Sequence, residues 1–312
     1  MKLLFATDLH GSDAVFAKCM RLIMNDTADV LLLGGDLSGK AIVPIVENGK
    51  KWMIPQQNDR SLLLSSKEEL DTYEEMIGRT GRYTYKCDKT SFERLRSDEA
   101  FSERILRDLR QQRLSKWIVE AREKVGLDHV FFGFGNDDPF YMDDVVRRET
   151  GCEPLEQREI SLDSGFQIVS CGYTNVTPWH CPRDVPEDDL LGLLRSKFEA
   201  RNRMDLVIAN IHCPPFGTLD RAPLLDSTLR PVVGADGVEM ESVGSTAVRW
   251  CIEHYQPPLA LHGHIHEAFG KEYVGSTLCV NPGSVYFTGE LRAALVHLDH
   301  GRVKGVQLVR EG

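Results

Sequence analysis

Apolar runs of strand length recur along the chain, at 2–6, 29–33, 129–134, 166–171, 205–211 and 259–262. Within each run the hydrophobic residues are nearly continuous rather than alternating. A strand of that kind is covered on both faces, as in layered α/β proteins. Most of the runs end in a polar cluster: TDLHGS, GGDLSGK, GFGNDD, NIHCPP and HGHIHE. Loops at the carboxyl ends of strands are where α/β sheets gather their ligands, so these clusters are where the chemistry is sought first. Beyond about residue 270 the runs become shorter and turn-separated, in EYVGSTLCV, RAALVHL and RVKGVQLV. They predict antiparallel strands closing a second sheet.

Two stretches break the rhythm. Residues 41–127 carry few strand signals and many charges. Inside them SSKEELDTYEEMIGR predicts a helix and RYTYKC a short hairpin strand. Phe101, Ile105, Leu109, Trp117, Ala121 and Val125 then recur near a helical period, and Gly126 suits a C-cap. The chain therefore reads as one domain over 1–312 with a mostly helical insertion at 41–127, serving as a lid or as a dimer surface. The second stretch, 212–244, is rich in Pro, Gly and Asp. It predicts a long ordered loop, and loops of that length are usually either functional or disordered.

Composition narrows the class. With 312 residues, 42% hydrophobic and 27% charged, the chain matches an ordinary globular enzyme and not a disordered or fibrous one. No apolar run approaches the roughly 18 residues that cross a bilayer, so no membrane partner is expected. The opening KLLFATDLH reads as a first strand rather than a secretory signal. A net charge of −10 disfavours long nucleic acid as a partner. Eight scattered cysteines without a CxxC pair point to free thiols in a reducing cytoplasm.

The strand-end clusters supply metal-binding residue types. They are Asp8-Leu9-His10, Gly35-Asp36, Gly135-Asn136-Asp137, His212 and Gly263-His264-Ile265-His266. Two histidines one residue apart as the chain leaves a strand face different neighbours, which suits a shared dinuclear site. Mixed nitrogen and oxygen donors favour Mn, Fe, Zn, Ni or Co over Ca or Mg. Each fragment alone is a weak signal, but all five in this order, each after an apolar run, form a specific one.

The series DLH, GGD, GND, NIH and GHIH resembles the calcineurin-like metallophosphoesterase superfamily, whose pattern is D-x-H, G-D, G-N-[HD], H and G-H-x-H. The match spans residues 8 to 266. HCPPFGTLD, LHGHIHEA and VNPGS are similar to a prokaryotic subgroup of predicted phosphoesterases. The resemblance implies a four-layer αββα sandwich of two mixed β-sheets flanked by helices. It implies that Asp8, His10 and His266 hold one divalent metal, that Asn136, His212 and His264 hold a second, and that Asp36 bridges them. Asp36, Asn136 and His212 would then act through the metals, a bridging hydroxide attacking in line a phosphodiester or phosphomonoester of a small molecule, nucleotides included.

One position departs from the pattern. Many members have a second histidine after the motif asparagine, as proton donor to the leaving group; here the residue is Asp137. A carboxyl with an ordinary pKa of about 3.9 is ionised at neutral pH and a poor acid. Either the leaving group needs little protonation or another residue donates, His180 in TNVTPWHCPRD being the loop histidine left over; Asp137 would otherwise orient a metal-ligating histidine. Asn281 in VNPGS is a candidate phosphate contact, although N-P-G is also a turn signal. Lys40 and Arg183 are further candidates that read first as solvated surface charges. A nuclease of the same superfamily is the alternative enzyme, disfavoured by the charge. A protein phosphatase finds no peptide-groove signal. A non-catalytic metal-binding scaffold is expected to have lost ligands, whereas this chain keeps all seven.

Overall fold

The computed structural model describes residues 1–56 and 61–312. The chain opens with β1 (Lys2–Ala6), α1 (Asp13–Met24) and β2 (Val30–Gly34). An inserted unit follows: β3 (Ile42–Asn48), β4 (Lys51–Pro55), β5 (Ser61–Leu64), α2 (Lys67–Arg79), β6 (Tyr83–Cys87), α3 (Lys89–Ser97) and α4 (Glu99–Lys124). Then come β7 (Val130–Gly133), α5 (Tyr141–Thr150), β8 (Ile160–Ser161), β9 (Gln167–Cys171), the short pair β10 (Thr174–Asn175) and β11 (Asp184–Val185), α6 (Glu187–Glu199) and β12 (Val207–Ile211). The long loop holds β13 (Arg221–Pro223), β14 (Val233–Gly234), β15 (Gly237–Val238) and β16 (Met240–Ser242). The chain ends with α7 (Thr246–Tyr255), β17 (Leu259–Leu261), β18 (Gly270–Val274), β19 (Thr277–Asn281), β20 (Leu291–Asp299) and β21 (Arg302–Glu311).

Two mixed sheets carry the core, in the orders β21-β20-β1-β2-β7 and β18-β19-β17-β12-β9-β8. Residues alternate between faces along each strand. Leu3, Phe5 and Leu32 of the first sheet meet Ile168, Ile208 and Leu261 of the second in a core between the sheets. Leu4, Ala6, Leu31 and Leu33 pack outward with residues of α1, α4 and α5, and Val169, Ala209 and Ile211 pack outward with residues of α6 and α7. Both faces of every central strand are buried, which accounts for the unbroken apolar runs. The result is the four-layer αββα sandwich. No helix among the described residues is long and apolar enough to cross a membrane.

Three expectations need correction. The terminal hairpin does not close the second sheet: β20 pairs antiparallel with β1, Leu4 opposite Leu295, and so extends the first. The inserted region keeps its helices but carries more strand than its few strand signals indicate, holding a four-stranded sheet in the order β5-β4-β3-β6 around a small core of Ile45, Ile54, Leu64 and Leu70. Its strands are short and half exposed, so they lack the apolar run that marks a central strand. RYTYKC is a strand, but it pairs parallel with β3 rather than in a hairpin.

The second half of α4 belongs to the sandwich itself. Leu114, Trp117, Ile118 and Ala121 lie in the outer core. Trp117 stacks on Phe16 of α1 with ring centroids 4.7 Å apart, and its Nε1 donates to Asp13 Oδ1 at 2.8 Å. Truncating an aromatic buried this deeply costs about 3–5 kcal/mol. Trp117→Ala is therefore expected to lower the stability read by urea unfolding by that amount, and Trp117→Phe, which keeps the stack and loses the hydrogen bond, by about 1 kcal/mol. Equal losses in the two variants would show that the ring packing is not what anchors α4.

Candidate metal centre

The parallel strands of both sheets deliver their carboxyl-terminal loops to one place. Asp8 and His10 follow β1, Asp36 follows β2, Asn136 follows β7, His212 follows β12, and His264 and His266 follow β17. Backbone bonds interlock these loops: Asp8 N donates to Gly35 O and His10 N to Asp36 O, both at 2.9 Å. His264 N donates to both carboxylate oxygens of Asp8 at 3.1 Å. Asp8, His10, Asp36 and His264 all adopt left-handed backbone, with φ of 55°, 41°, 52° and 65°. Such φ values in non-glycine residues cost about 1–2 kcal/mol each, and clusters of them mark functional sites.

The motif glycines are fixed by contact. A Cβ on Gly135 would lie 2.2 Å from Asp36 Oδ1 and 2.6 Å from His212 Nε2. One on Gly263 would lie 2.2 Å from Thr7 Oγ1 and 2.5 Å from Asp8 Oδ2. Only a hydrogen fits at either place.

Two groups of donors converge. Asp8, His10 and His266 form one, with His266 Nε2 3.4 Å from Asp8 Oδ1 and 3.1 Å from His10 Nε2. Asp36, His212 and His264 form the other, and Asn136 Oδ1 lies 3.0 Å from His264 Nδ1. Asp36 faces both, its Oδ2 3.6 Å from His10 Nε2 and its Oδ1 3.4 Å from His212 Nε2. His10, Asp36 and Asp137 converge in a third, overlapping group. Asp8, His10, Asp36, Asn136 and His212 are buried, while His266 opens onto a cleft.

The electrostatics of this crowd are internally opposed. Burial pushes Asp36 up to about 7, helped by the charges of Asp137 and Asp8 and held back by His212. Burial also acts against Asp8, but the bond from His266 and the fields of the histidines outweigh it and hold Asp8 well below the usual carboxylate range. Burial pushes His10 down to about 3 and His264 to about 4. His212, flanked by Asp36 and Asp8, rises against its burial to about 9.

The donor set fits divalent metal. His212 Nε2 is buried and makes no hydrogen bond of acceptable geometry, an orphan that costs free energy unless something binds it. The facing nitrogens of His10 and His266 are 3.1 Å apart, close to the roughly 3 Å between two imidazole nitrogens that share an ion at about 2.0–2.1 Å.

Of the remaining expected residues, Asp137 lies at the site but as an ion. Burial works to raise it, yet Lys40, His10 and the Cys181 thiol, whose Sγ is 3.0 Å from Asp137 Oδ1, hold it well below the usual carboxylate range. That direction favours the carboxylate over the acid at Asp137. Lys40 is not a free surface charge: its Nζ is paired with the Asp137 carboxylate. His180 is exposed and lines the cleft. Arg183 is neither a surface charge nor a substrate contact, being 2% exposed, bonded to Asp143 at 2.5 Å and to Asp138 O at 2.8 Å, between the rings of Phe134 and Phe140. Asn281 is also corrected. Its amide donates to Gly263 O at 2.9 Å and accepts from Gly283 N at 2.8 Å, so it shapes the loop that carries His264 and His266.

Three supporting residues were not read from the sequence. The buried carboxylate of Asp138 accepts from Leu37 N, Ser38 N and Gly135 N at 3.0, 2.8 and 3.0 Å, tying the Asp36 loop to the Asn136 loop. Asp184 accepts from Asn136 Nδ2 at 3.0 Å and from Thr177 and Cys181 backbone at 2.9 Å. His262 directs Nδ1 at Ile211 O and Cys213 O, 2.8 and 3.1 Å away, on either side of His212. Their only sequence signal is that each stands within four residues of a motif or loop acid, which is too common a circumstance to read.

The cleft above the donors has a volume of about 1100 Å³. Leu106 and Arg110 of α4 form one wall, Val176 and Trp179 another, and Leu225 and Leu229 of the long loop a third. Both stretches that broke the strand rhythm thus border the site.

Every motif fragment that carried the family resemblance reaches this one centre, on the sandwich that the resemblance implies. The chain has the αββα sandwich fold, shared with solved structures, and its motif set is the one that resembles the calcineurin-like metallophosphoesterases. No family model matches the chain. A crystal structure at 20% identity superposes with a TM-score of 0.55, covering 99% of this chain and 98% of its own. That of TT1561 of Thermus thermophilus does so at 13% identity with a TM-score of 0.52, covering 98% and 97%. The uncharacterized protein MJ1162 of Methanocaldococcus jannaschii is 26% identical over 145 residues, which span 46% of this chain and 60% of that protein's length. These likenesses concern the fold; what the site can do rests on this chain's own donors.

His262 gives a pH test of the framework that does not involve the donors' own titration. Burial pushes its pKa from the ordinary 6.5 to about 4. Between those values the unfolded chain binds a proton that the native chain does not, so stability falls as pH drops, by about 1.4 kcal/mol per unit for one such group. Urea unfolding from pH 7 to 4 is expected to show a steeper loss for the wild type than for His262→Asn, which keeps a donor and cannot titrate. Parallel curves would remove His262 from the acid response.

Proposed function

We propose that the chain is a phosphoric ester hydrolase that uses two divalent metal ions and acts on a phosphodiester or phosphomonoester of a small molecule. The observation that carries this reading is the convergence of Asp8, His10 and His266 beside Asp36, His212 and His264 in one buried centre, with Asn136 against His264. Asp8, His10 and His266 would hold one ion, Asn136, His212 and His264 the other, and Asp36 both. Manganese, iron, zinc, nickel and cobalt all suit the donors. Bound there, two such cations supply the charge that acidifies water and neutralises phosphoryl oxygens.

The chain's own groups prepare that chemistry. Asp137 N donates to Asp36 Oδ1 at 2.9 Å and fixes its carboxylate plane. Asp138 locks the loops that present Asp36 and Asn136, so the donors are set before substrate arrives. The cleft supports a small substrate over long nucleic acid. Glu103, Asp226, Glu241 and Glu267 line it with Lys40 and Arg110 as the cations, and Arg110 is engaged with Gly39 O and Tyr141 OH. A polyanion gains nothing from that field. The scaffold reading is disfavoured because no donor position is vacated. Six of the eight cysteines are buried and all eight are unpaired, in agreement with a cytoplasmic location.

The direct test is Mn²⁺-dependent hydrolysis of bis(4-nitrophenyl) phosphate and 4-nitrophenyl phosphate. Turnover is expected to require metal and to fall more than about 100-fold in Asp36→Asn, since even residues behind the ligands account for 10–100-fold. Metal-loaded wild type that turns over neither ester, nor any of a nucleotide panel, would overturn the general-esterase reading. Separately, Gly135→Ala places a methyl against Asp36 and His212. It is expected to weaken Mn²⁺ binding in calorimetry by more than about 10-fold while leaving the far-ultraviolet spectrum unchanged; wild-type affinity in that variant would separate these two residues from metal binding.

A further inference from the structure

Resting on the hydrolase reading, we propose that Lys40 is the catalytic cation for the leaving group: its ammonium hydrogen-bonds the ester oxygen that departs from phosphorus, and Asp137 is the positioning residue that holds it there. Lys40 follows the GGD loop, four residues after Asp36. Its Nζ is paired with the Asp137 carboxylate, and its side chain is half exposed. It borders the same cleft as Asp36, Asn136, His264 and His266. The other cation on that cleft, Arg110, is bonded through Nε and Nη1 to Gly39 O and Tyr141 OH, whereas Lys40 is tied to the single carboxylate of Asp137.

Direction then assigns the oxygen. Displacement at phosphorus is in line, with the attacking and leaving oxygens on opposite sides. The floor of the site is closed, since Asp8, His10, Asp36 and His212 are each 1–2% exposed. Attack comes from that floor, where the donors converge, so the departing oxygen points out toward the open cleft and Lys40. Asp137, whose carboxylate is paired with the Lys40 ammonium, aims that ammonium. Its other contacts, the Cys181 thiol at 3.0 Å and the Asp137 N bond to Asp36, fix that carboxylate between the central loops and the cleft wall.

In the step itself a water-derived oxygen, having given its proton to solvent, forms a new bond to phosphorus while the P–O bond to the alcohol breaks and its electron pair passes to the leaving oxygen. The Lys40 N–H bonds stabilise the charge that grows there, and the oxygen takes its proton from cleft water. One water is consumed overall and nothing is oxidised or reduced. Lys40 remains an ammonium throughout, because the pull of Asp137 outweighs its partial burial.

The test uses Mn²⁺-loaded wild type, Lys40→Met, Lys40→Arg and Asp137→Asn with aryl phosphodiesters whose phenols span acidic to weakly acidic. Metal content and thermal midpoint are measured alongside. Lys40→Met is expected to lose about 3-fold in kcat/KM with a dinitrophenol leaving group and more than about 30-fold with unsubstituted phenol. That steepens the leaving-group slope, while KM and metal content stay near wild type. Lys40→Arg is expected to recover most of the slope, and Asp137→Asn to show an intermediate one. A uniform loss across the series, or none, would overturn the assignment to the leaving oxygen. A wild type that holds metal but cleaves no member of the series would instead overturn the hydrolase reading on which this one rests.

Discussion

Everything at the candidate centre depends on holding two carboxylates and four imidazoles within a few ångströms of one another, away from water. Left alone, such groups repel, and each buried charge carries a desolvation cost. Burial pushes Asp36 up to about 7, the mark of that cost, while the carboxylates around His212 raise it against its own burial to about 9. A centre of this kind persists only if the backbone that carries it is over-determined. Here the left-handed turns at Asp8, His10, Asp36 and His264 are locked by bonds between loops of different strands, and glycines at 135 and 263 let those loops touch. The strain is concentrated where divalent cations would relieve it.

The sandwich is what makes the locking possible. Central strands buried on both faces, with Phe5 and Leu32 inward and Leu4 and Leu31 outward, give each motif loop a rigid base. The second tier of polar residues then fixes the loops to one another. Asp138 spans the loops after β2 and β7 through three backbone amides. Asp184 secures Asn136 and the 174–184 segment. His262 braces the backbone around His212. None of these touches the cleft chemistry directly, yet each sets the place of a residue that does.

The central strands and the donor set were legible in the sequence for the same reason: both are written as local patterns. An apolar run that ends in Asp, Asn or His declares a buried strand and its ligand loop together. What was not legible is whatever depends on a distant partner. The pairing of β20 with β1 rather than with the second sheet spans nearly the whole chain. The strands of the inserted unit are short and half exposed, so their alternation does not rise above the surrounding charge. Arg183 and Asn281 look from sequence like phosphate contacts in loops. Only their partners, Asp143 and the backbone around Gly263 and Gly283, show them to be framework. Lys40 went the other way, from solvated charge to site residue, because its partner Asp137 lies 97 positions later.

The inserted region illustrates how a segment read as a lid is tied to the centre it borders. Its longest helix, α4, is two things along its length. The amino-terminal half offers Leu106 and Arg110 to the cleft, whereas the carboxyl-terminal half is core, with Trp117, Ile118 and Ala121 fully enclosed. Between them, Arg110 Nε donates to Gly39 O at 2.9 Å and Arg113 Nη1 to Gly11 O at 2.6 Å. Those carbonyls belong to the very loops that carry Asp36 and His10. A helix anchored by a buried tryptophan at one end and bonded to both motif loops in its middle cannot swing away without breaking them. This wall of the cleft is tied to the centre, whereas the 175–182 segment and the long loop border the cleft with the exposed apolar side chains Val176, Trp179 and Leu229. Under the proposed hydrolase function, those two segments are the ones placed to discriminate among substrates, because α4 is tied to the loops that carry the donors.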